Sequence, residues 1–480
     1  MAIEFELKLD MDEPEAVDAL IRALGLGAAR SIRMRATYFD TPDRRLAKLG
    51  YSVRIRQEGH QRVQTIKCSG GAGTGPFARQ EWEQPAIGHA PLIERDHPLS
   101  DALGKDAAGL APSFEIATER SSWNIDCKDA EIEMVVDRCE ALVGGASTPF
   151  TEIELELKQG DPSAVFVLTR RIGRLTPVRI GVLTKAERAQ RLIKPPGPCD
   201  KAHTVQLRPG MTAAEAFRTI AHSCVRHYRL NEARLLETDA REALHQARVA
   251  LRRLRSALTA FKPIVAGAEA RRFNADLRWL TGQLGIARNM DVLIPRVKDK
   301  ATLAKLKSAR RRAYIDARRA AASALTRELM LDIAEWLVVG RWTGRKKRRP
   351  LREESARTSG ARAISRLHGT LMKEAAAVGG EDDEARHAAR KTAKKLRYTV
   401  EFLSLLFDDA GERKARIRYL AALEDLQDHL GALNDLAMMP EVLAGEGVEP
   451  VPGETDARES HIAQAAHAMT LIGEAKRFWE

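Results

Sequence analysis

From Ile3 to Leu9 apolar and polar residues alternate, and the same pattern returns at Tyr51 to Gln57, Arg62 to Lys67, Arg79 to Glu83, Glu131 to Val136 and Thr151 to Lys158. A period of two predicts strands with chemically different faces. Helical spacing interrupts them at Glu13 to Leu24 and at Pro162 to Ile172, where Asp161 is a plausible N-cap and proline stands at the first helical position. The first 190 or so residues therefore read as α+β. Lys194-Pro-Pro-Gly-Pro-Cys-Asp200 continues neither a helix nor a central strand, because proline fixes φ and removes donors. From about residue 211 the period becomes helical and stays so, with breaks near Pro263, Gly340 to Pro350 and Gly379-Gly380. The expected organisation is a domain over 1–195, a linker over 196–202 and an all-α domain over 203–480.

The polar face of the predicted strands is almost entirely charged. Glu4, Glu6 and Lys8 share one face of the first strand, Arg54 and Arg56 one face of another, and Glu152, Glu154, Glu156 and Lys158 one face of a late one. A single strand of this kind is an ordinary solvated sheet face held by cross-strand pairs. Several of them closing together would make a charged interior. Hard divalent cations such as Mg²⁺ take oxygen ligands, commonly one or two carboxylates together with substrate phosphates. Glu4, Glu6, Asp137, Glu152, Glu154 and Glu156 are the candidate ligands, with Glu131 and Glu133 as alternatives to Asp137. Arg54, Arg56, Lys67, Arg79, Arg120, Lys185 and Arg188, together with Lys8, are candidate contacts for phosphoryl oxygens. Trp82, between Glu81 and Glu83, points to the opposite face and reads as core.

The helical part contains a repeat. His245-Gln-Ala-Arg-Val-Ala-Leu-Arg-Arg-Leu-Arg255 returns as His387-Ala-Ala-Arg-Lys-Thr-Ala-Lys-Lys-Leu-Arg397, and each copy is followed by a Leu-Gly phrase, Gln283 to Asp291 and His429 to Asp435. On a helical wheel His245, Arg248, Arg252 and Arg255 fall within about 80° of one another, and His387, Arg390, Lys394 and Arg397 repeat the stripe. Arg253 and Lys395, from the same phrases, join the candidate anion contacts. The two histidines read as phosphate donors without a metal role. Arg345 to Arg349 reads as a basic, solvated connector.

Charge sharpens the division. Residues 1–200 hold 27 Lys/Arg against 30 Asp/Glu, and residues 201–480 hold 51 against 36, so the basic excess lies wholly in the second half. Nucleic acid, an anionic membrane or a phosphate polymer would each satisfy such a surplus. Few aromatics interleave the stripes, which disfavours single-stranded nucleic acid. Five cysteines without a CxxC pair, a start lacking the features of a signal peptide and the absence of a long apolar run predict a soluble, unexported, cytoplasmic protein with reduced thiols and no membrane partner.

Glu4-Phe-Glu-Leu-Lys8, Tyr38-Phe-Asp-Thr41, Arg54-Ile-Arg56, Glu152-Ile-Glu-Leu-Glu156 and Thr184-Lys-Ala-Glu-Arg188 resemble the ordered signatures of the CYTH, or triphosphate tunnel metalloenzyme, family over about residues 1–195. The resemblance implies an antiparallel β-tunnel or barrel in which carboxylates bind Mg²⁺ or Mn²⁺, basic residues hold a triphosphate, and water attacks the terminal phosphorus. Glu4 and Glu6 match the first acidic pair and Lys8 the adjacent phosphate contact, the three assigned as catalytic. Arg54 with Arg56 and Lys185 with Arg188 match the two basic pairs, while the ligands among Glu152, Glu154 and Glu156 stay open. Inorganic triphosphatases, thiamine triphosphatases and class IV adenylate cyclases share this apparatus, and an inorganic triphosphatase is expected. The helical repeats are similar to the CHAD domain over about residues 203–480, departing from it at Asn289-Met-Asp291. That similarity implies two packed four-helix bundles around a basic surface that binds inorganic polyphosphate, and with it an association with polyphosphate granules. A rival expectation is a polyphosphate-binding scaffold with a weakly active tunnel.

Overall fold

The computed structural model describes residues 5–11, 13–68, 80–94, 97–104, 109–380, 382–445 and 455–480. It divides into two compact units, Met1–Gly197 with Met330–Gly340, and Pro198–Leu329 with Arg341–Glu480. Among the described residues no helix is long and apolar enough to cross a membrane.

Among the described residues the first unit is built on nine antiparallel strands, β1 (Phe5–Met11), β2 (Arg30–Asp40), β3 (Tyr51–Glu58), β4 (Gln61–Cys68), β5 (Gln80–Pro85), β6 (Ala111–Cys127), β7 (Ala130–Val143), β8 (Ala146–Gln159) and β9 (Val178–Ile180), in the sheet order β5-β4-β3-β2-β6-β7-β8-β1-β9. Two long hairpins turn on residues with positive φ, Lys128-Asp129 between β6 and β7 and Gly144-Gly145 between β7 and β8, the geometry that matches the twist of the flanking strands. Helices among its described residues include α1 (Val17–Leu24), α2 (Arg45–Leu49), α3 (Pro98–Leu103), α4 (Ser163–Leu175) and α5 (Lys185–Ile193). Asp161 accepts a hydrogen bond from the Ser163 amide at 2.8 Å, fixing the entry to α4.

One sheet face is apolar. Leu7, Leu9, Ile132, Met134, Val136, Ile153 and Leu155 are buried, as are Val165, Phe166, Leu168 and Ile172 of α4, and the Phe5 and Phe166 rings lie 6.0 Å apart. Further along, Leu46, Val53, Ile66, Leu99 and Leu103 form a second core against which Trp82 packs. The other face carries the charge, and it is concave. Glu6 on β1 acts electrostatically on Lys67 on β4, although six strand steps separate them, roughly 29 Å in a flat sheet.

The second unit is all-helical: α6 (Ala213–Glu237), α7 (Arg241–Ala260), α8 (Lys262–Val265), α9 (Ala268–Leu293), α10 (Lys300–Ala322), α11 (Ala324–Val339, whose last turns belong to the first unit), α12 (Arg349–Glu353), α13 (Ala356–Lys373), α14 (Ala375–Gly379), α15 (Asp383–Phe402), α16 (Ala410–Gly445) and α17 (Thr455–Glu474). Helices α6, α7, α9 and α10 pack as one four-helix group, and α13, α15, α16 and α17 as its duplicate. The copies meet at equivalent points. Thr212 and Ser355, the N-caps of α6 and α13, pair as an antiparallel bridge, in which Ala213 N donates to Glu354 O and Ala356 N to Met211 O, both at 2.8 Å. Phe478 and Trp479 close the second group by packing on Tyr419 and His368, with Trp479 Nε1 donating to Ser365 Oγ at 2.8 Å. Trp479→Ala is expected to cost about 3–5 kcal/mol in chemical denaturation.

Burial pushes the His222 imidazole down to about 3, and burial with Arg253 pushes His227 to about 4. Both are neutral in the fold, whereas the unfolded chain takes up these protons below about 6.5. Stability of the helical unit is therefore expected to fall as pH drops from about 6.5 towards 4, by on the order of 3 kcal/mol from His227 alone. Urea midpoints followed by circular dichroism across that range measure it, and a midpoint independent of pH would refute it.

Candidate active site and candidate polyanion surface

Strand register decides which side chains share the concave face. Directly paired are Glu6 with Glu156 and Lys8 with Glu154, Asp137 with Glu152 and Glu133 with Glu156, Arg120 with Asp137, Tyr38 with Arg54 and Ala36 with Arg56, and Lys67 with Glu81. Paired residues point to the same side of a sheet, so one face gathers all of them. Glu4 and Arg79 lie outside the described residues.

The acidic half of this face is a buried charge network. Asp137, Glu152 and Glu154 are 0, 1 and 9% exposed, which for carboxylates requires compensation. Lys8 Nζ lies 2.8 Å from Glu152 Oε1 and also contacts Glu6 and Glu154. Lys185 Nζ lies 2.9 Å from Asp137, 3.0 Å from Glu152 and 2.6 Å from Glu154. Arg120 grips Asp137 through Nε at 2.8 Å and Nη2 at 2.6 Å. A capping box sets Lys185 in place: Glu187 N donates to Thr184 Oγ1 at 3.1 Å and Thr184 N to the Glu187 carboxylate at 2.8 Å, so α5 opens with Lys185 over the carboxylates. One turn later Arg188 pairs with Asp10, its Nε 3.6 Å from Glu152 Oε2. Ala186 and Ala189 on this helix pack onto Ala36, Tyr38, Phe114, Ile116, Cys139 and Ala141.

Burial raises the Glu152 carboxyl above the ordinary glutamate value against the pull of both lysines. Burial acts the same way on Glu154, but there Lys185, Lys8 and Arg120 outweigh it and hold the group well below. Burial opposes charge on Lys8 and Lys185, yet the carboxylates win and keep both ammoniums above the lysine norm. Glu156 is separate: with Glu133 it pairs to Lys158 at 2.7 and 2.9 Å.

The basic half lies on β3 and β4. Arg54 is half-buried beside Tyr38, Glu81 and Glu83, and its Nε is buried with no hydrogen-bond partner. Arg56 approaches Glu83 at 3.8 Å and Lys67 pairs with Glu81 at 2.7 Å. Burial, then Arg54, lowers the Lys67 ammonium. Sequence reasoning did not select Glu81, Glu83 or Asp10, although the alternation in Gln80–Pro85 and at the end of β1 carried the signal.

In the helical unit the two stripes converge. Helix α7 packs on α15, and Arg248, Arg252, Arg390 and Lys394 act on one another electrostatically. Gly285 and Gly431, from the two Leu-Gly phrases, lie beneath them: a Cβ would stand 3.5 Å from Arg248 Nη2 and 3.9 Å from Arg390 Nη2. His245 faces Arg288, Arg252 and Arg248, and His387 Nδ1 is 2.9 Å from Asn434 Oδ1. Arg288 is an addition to the stripe. Asp291, in the phrase that departs from the family pattern, is buried and bonded to Arg310 and Tyr314, both at 2.7 Å.

Not every candidate joins the cluster. Arg253 turns inward, pairs with Glu401 at 2.6 Å and stacks on Tyr398 and Phe402. Arg397 is held by Glu401 and Glu424. Arg255 donates to Asn274 at 3.0 Å, and Lys395 lies towards Arg255, Lys391 and Glu374. The basic connector is not simply solvated either. Arg345 and Arg348 turn onto the Ala266 carbonyl at 2.5 and 2.6 Å, and Arg352 onto that of Arg345 at 2.7 Å, where guanidinium donors satisfy carbonyls left open at chain turns.

The first unit is a concave antiparallel sheet on which carboxylates face guanidinium groups, and residues 2–189 match the family model of the CYTH domain. Residues 219–444 match that of the CHAD domain; the chain belongs to the proteins that carry a CYTH domain followed by a CHAD domain. An inorganic triphosphatase of Haemophilus influenzae is 29% identical over 163 residues, a stretch covering 32% of this chain and 45% of the relative's length. An uncharacterised protein of Mycobacterium tuberculosis is 26% identical over 442 residues, covering 83% of this chain and 82% of its own. Among solved structures, the CHAD domain of the plant Ricinus communis is 28% identical, covers 58% of this chain and 97% of that one, and has a TM-score of 0.47. A putative adenylate cyclase of Bacillus halodurans is 21% identical, with 39% and 98% coverage and a TM-score of 0.29.

CYTH tunnel enzymes are metal-dependent, and the donors present fit a hard divalent cation. They are all carboxylate oxygens, two ammonium groups already supply the positive charge they require, and Glu152 Oε2 is buried without a hydrogen-bond partner. Among the described residues no three acidic or thiol or imidazole groups yet surround a common point; the lysine ammoniums stand between them.

Proposed function

We propose that residues 1–195 hydrolyse inorganic triphosphate with Mg²⁺ or Mn²⁺, and that residues 203–480 bind inorganic polyphosphate and hold the enzyme where such chains accumulate. The observation that carries the reading is the single concave face on which buried Asp137, Glu152 and Glu154 are set against Arg54, Arg56 and Lys67. Glu6, Asp137, Glu152 and Glu154, with Glu4, would hold the cation, which supplies neutralisation of phosphoryl oxygens and polarisation of the terminal phosphorus. Arg54, Arg56 and Lys67 bind the chain's oxygens, and guanidinium forks orient it by bidentate contact. Lys8 and Lys185 are placed to exchange a carboxylate for a phosphate partner when substrate enters. The inorganic triphosphatase relative supports this substrate over esters of triphosphate.

The test is phosphate release from triphosphate, ATP, thiamine triphosphate and long-chain polyphosphate, each with Mg²⁺, Mn²⁺ or EDTA. Metal-dependent release from triphosphate, abolished by EDTA, is expected. Formation of cyclic AMP from ATP, or no release from any substrate, would overturn the assignment.

A further inference from the structure

Lys394 sits within the cation cluster of the helical unit, and the charged groups that act on it most strongly are all cations. Arg252 and Arg248 of α7 and Arg390 and Arg397 of its own helix act on it, and it acts in turn on His245. Helix α9 adds Arg288 through His245 and Arg248. Helix α16 brings Asp435, which acts on Arg390, and Glu424, 3.6 Å from Arg397. On the side of α13 and α14, Glu374 acts on Lys395 instead. Among the described residues, Arg248, Arg252, Arg390 and Lys394 form no ion pair, and the Nε atoms of the three arginines are buried without a hydrogen-bond partner.

Crowded, partly buried cations repel, and the repulsion is relieved when one gives up its proton. Guanidinium groups hold theirs, whereas a lysine ammonium can release one. We propose that the cluster takes up its polyanion together with a proton, which passes from solvent to Nζ of Lys394 as the phosphate chain arrives. The inference rests on the polyphosphate reading of this surface. In the free protein burial, then Arg252 and Arg390, push the Lys394 ammonium down to about 6, so at neutral pH it is largely uncharged. A phosphate chain reverses the local potential and restores the charged form. By linkage, affinity should fall about tenfold for each pH unit above about 6, until the pKa of the bound state is passed.

Calorimetric titration of the full chain with long-chain polyphosphate tests this, in EDTA to suppress hydrolysis and at pH 7.5 in buffers of different ionisation enthalpy. The wild-type protein should take up about one proton per bound cluster. Lys394→Arg, which keeps its charge, should bind as tightly or more tightly while losing that uptake. Should this variant misfold by circular dichroism, Lys394→Gln replaces it, with weaker binding and no uptake expected. Binding without uptake in the wild type overturns the proposal and leaves the polyphosphate reading standing. Uptake that persists in the variant overturns the assignment to Lys394, and absence of binding overturns both.

Discussion

Replacing Arg54 and Arg56 together by alanine should lower kcat/KM for triphosphate by about 10⁴-fold, since a single charge-stabilising donor at a phosphoryl or oxyanion centre is commonly worth 10²-fold or more. Both side chains stand on the concave face of β3, whose opposite face carries Val53 in a core shared with Leu46, Ile66, Leu99 and Leu103. The substitution therefore leaves that packing intact, and the thermal midpoint should move little. Arg54 Nε is buried with no hydrogen-bond partner in the protein, a donor that a phosphoryl oxygen could accept from. Steady-state phosphate release checks the result; a loss below tenfold would remove the basic row from the site.

The second large effect has opposite signs in two measurements. Arg252→Ala with Lys394→Met should raise the thermal midpoint of the helical unit and weaken polyphosphate binding at least tenfold. A lysine whose pKa is depressed in the fold binds its proton more tightly in the unfolded chain. Between about 6, where the folded group titrates, and its ordinary value near 10.5, its presence therefore favours unfolding, increasingly so as pH falls. Removing it at pH 7 should stabilise by about 2 kcal/mol, after allowing for solvent screening. Two lost phosphate contacts should also flatten the dependence of log affinity on log salt by about 1.4. Differential scanning calorimetry and salt-dependent binding read the two effects. A lower midpoint would make the stripe structural.

Most of the charged face was legible because its strands alternate strictly, as in Glu6-Leu7-Lys8 and Glu152-Ile153-Glu154. Strands β2 and β6 escaped the reading because their inward positions include Ile32, Met34, Ala36 and Tyr38, and Phe114 and Ile116, which erases the chemical contrast between faces. The closure of the sheet was not legible from spacing, since it depends on register across strands far apart in sequence. In the helical unit the wheel placed Arg248 and Arg252 correctly beside each other. The same wheel sets Arg253 about 100° from Arg252, and its inward turn towards Glu401 follows from that offset. Arg288 could be joined to the cluster only by the packing of α9 on α7.

The duplicated helical unit has an approximate dyad. Arg252 acts on Arg390, and the equivalent pair, Lys394 and Arg248, also interact; around the bridged caps Thr212 and Ser355, Ala213 N donates to Glu354 O and Ala356 N to Met211 O, matching hydrogen bonds across the same relation. Reciprocity of this kind marks a self-complementary, two-fold arrangement. A nucleic-acid strand has a sense of direction, so two halves turned head to tail would meet it in opposite orientations. A linear chain of identical phosphates has none, and each half of the dyad would read it the same way from either end.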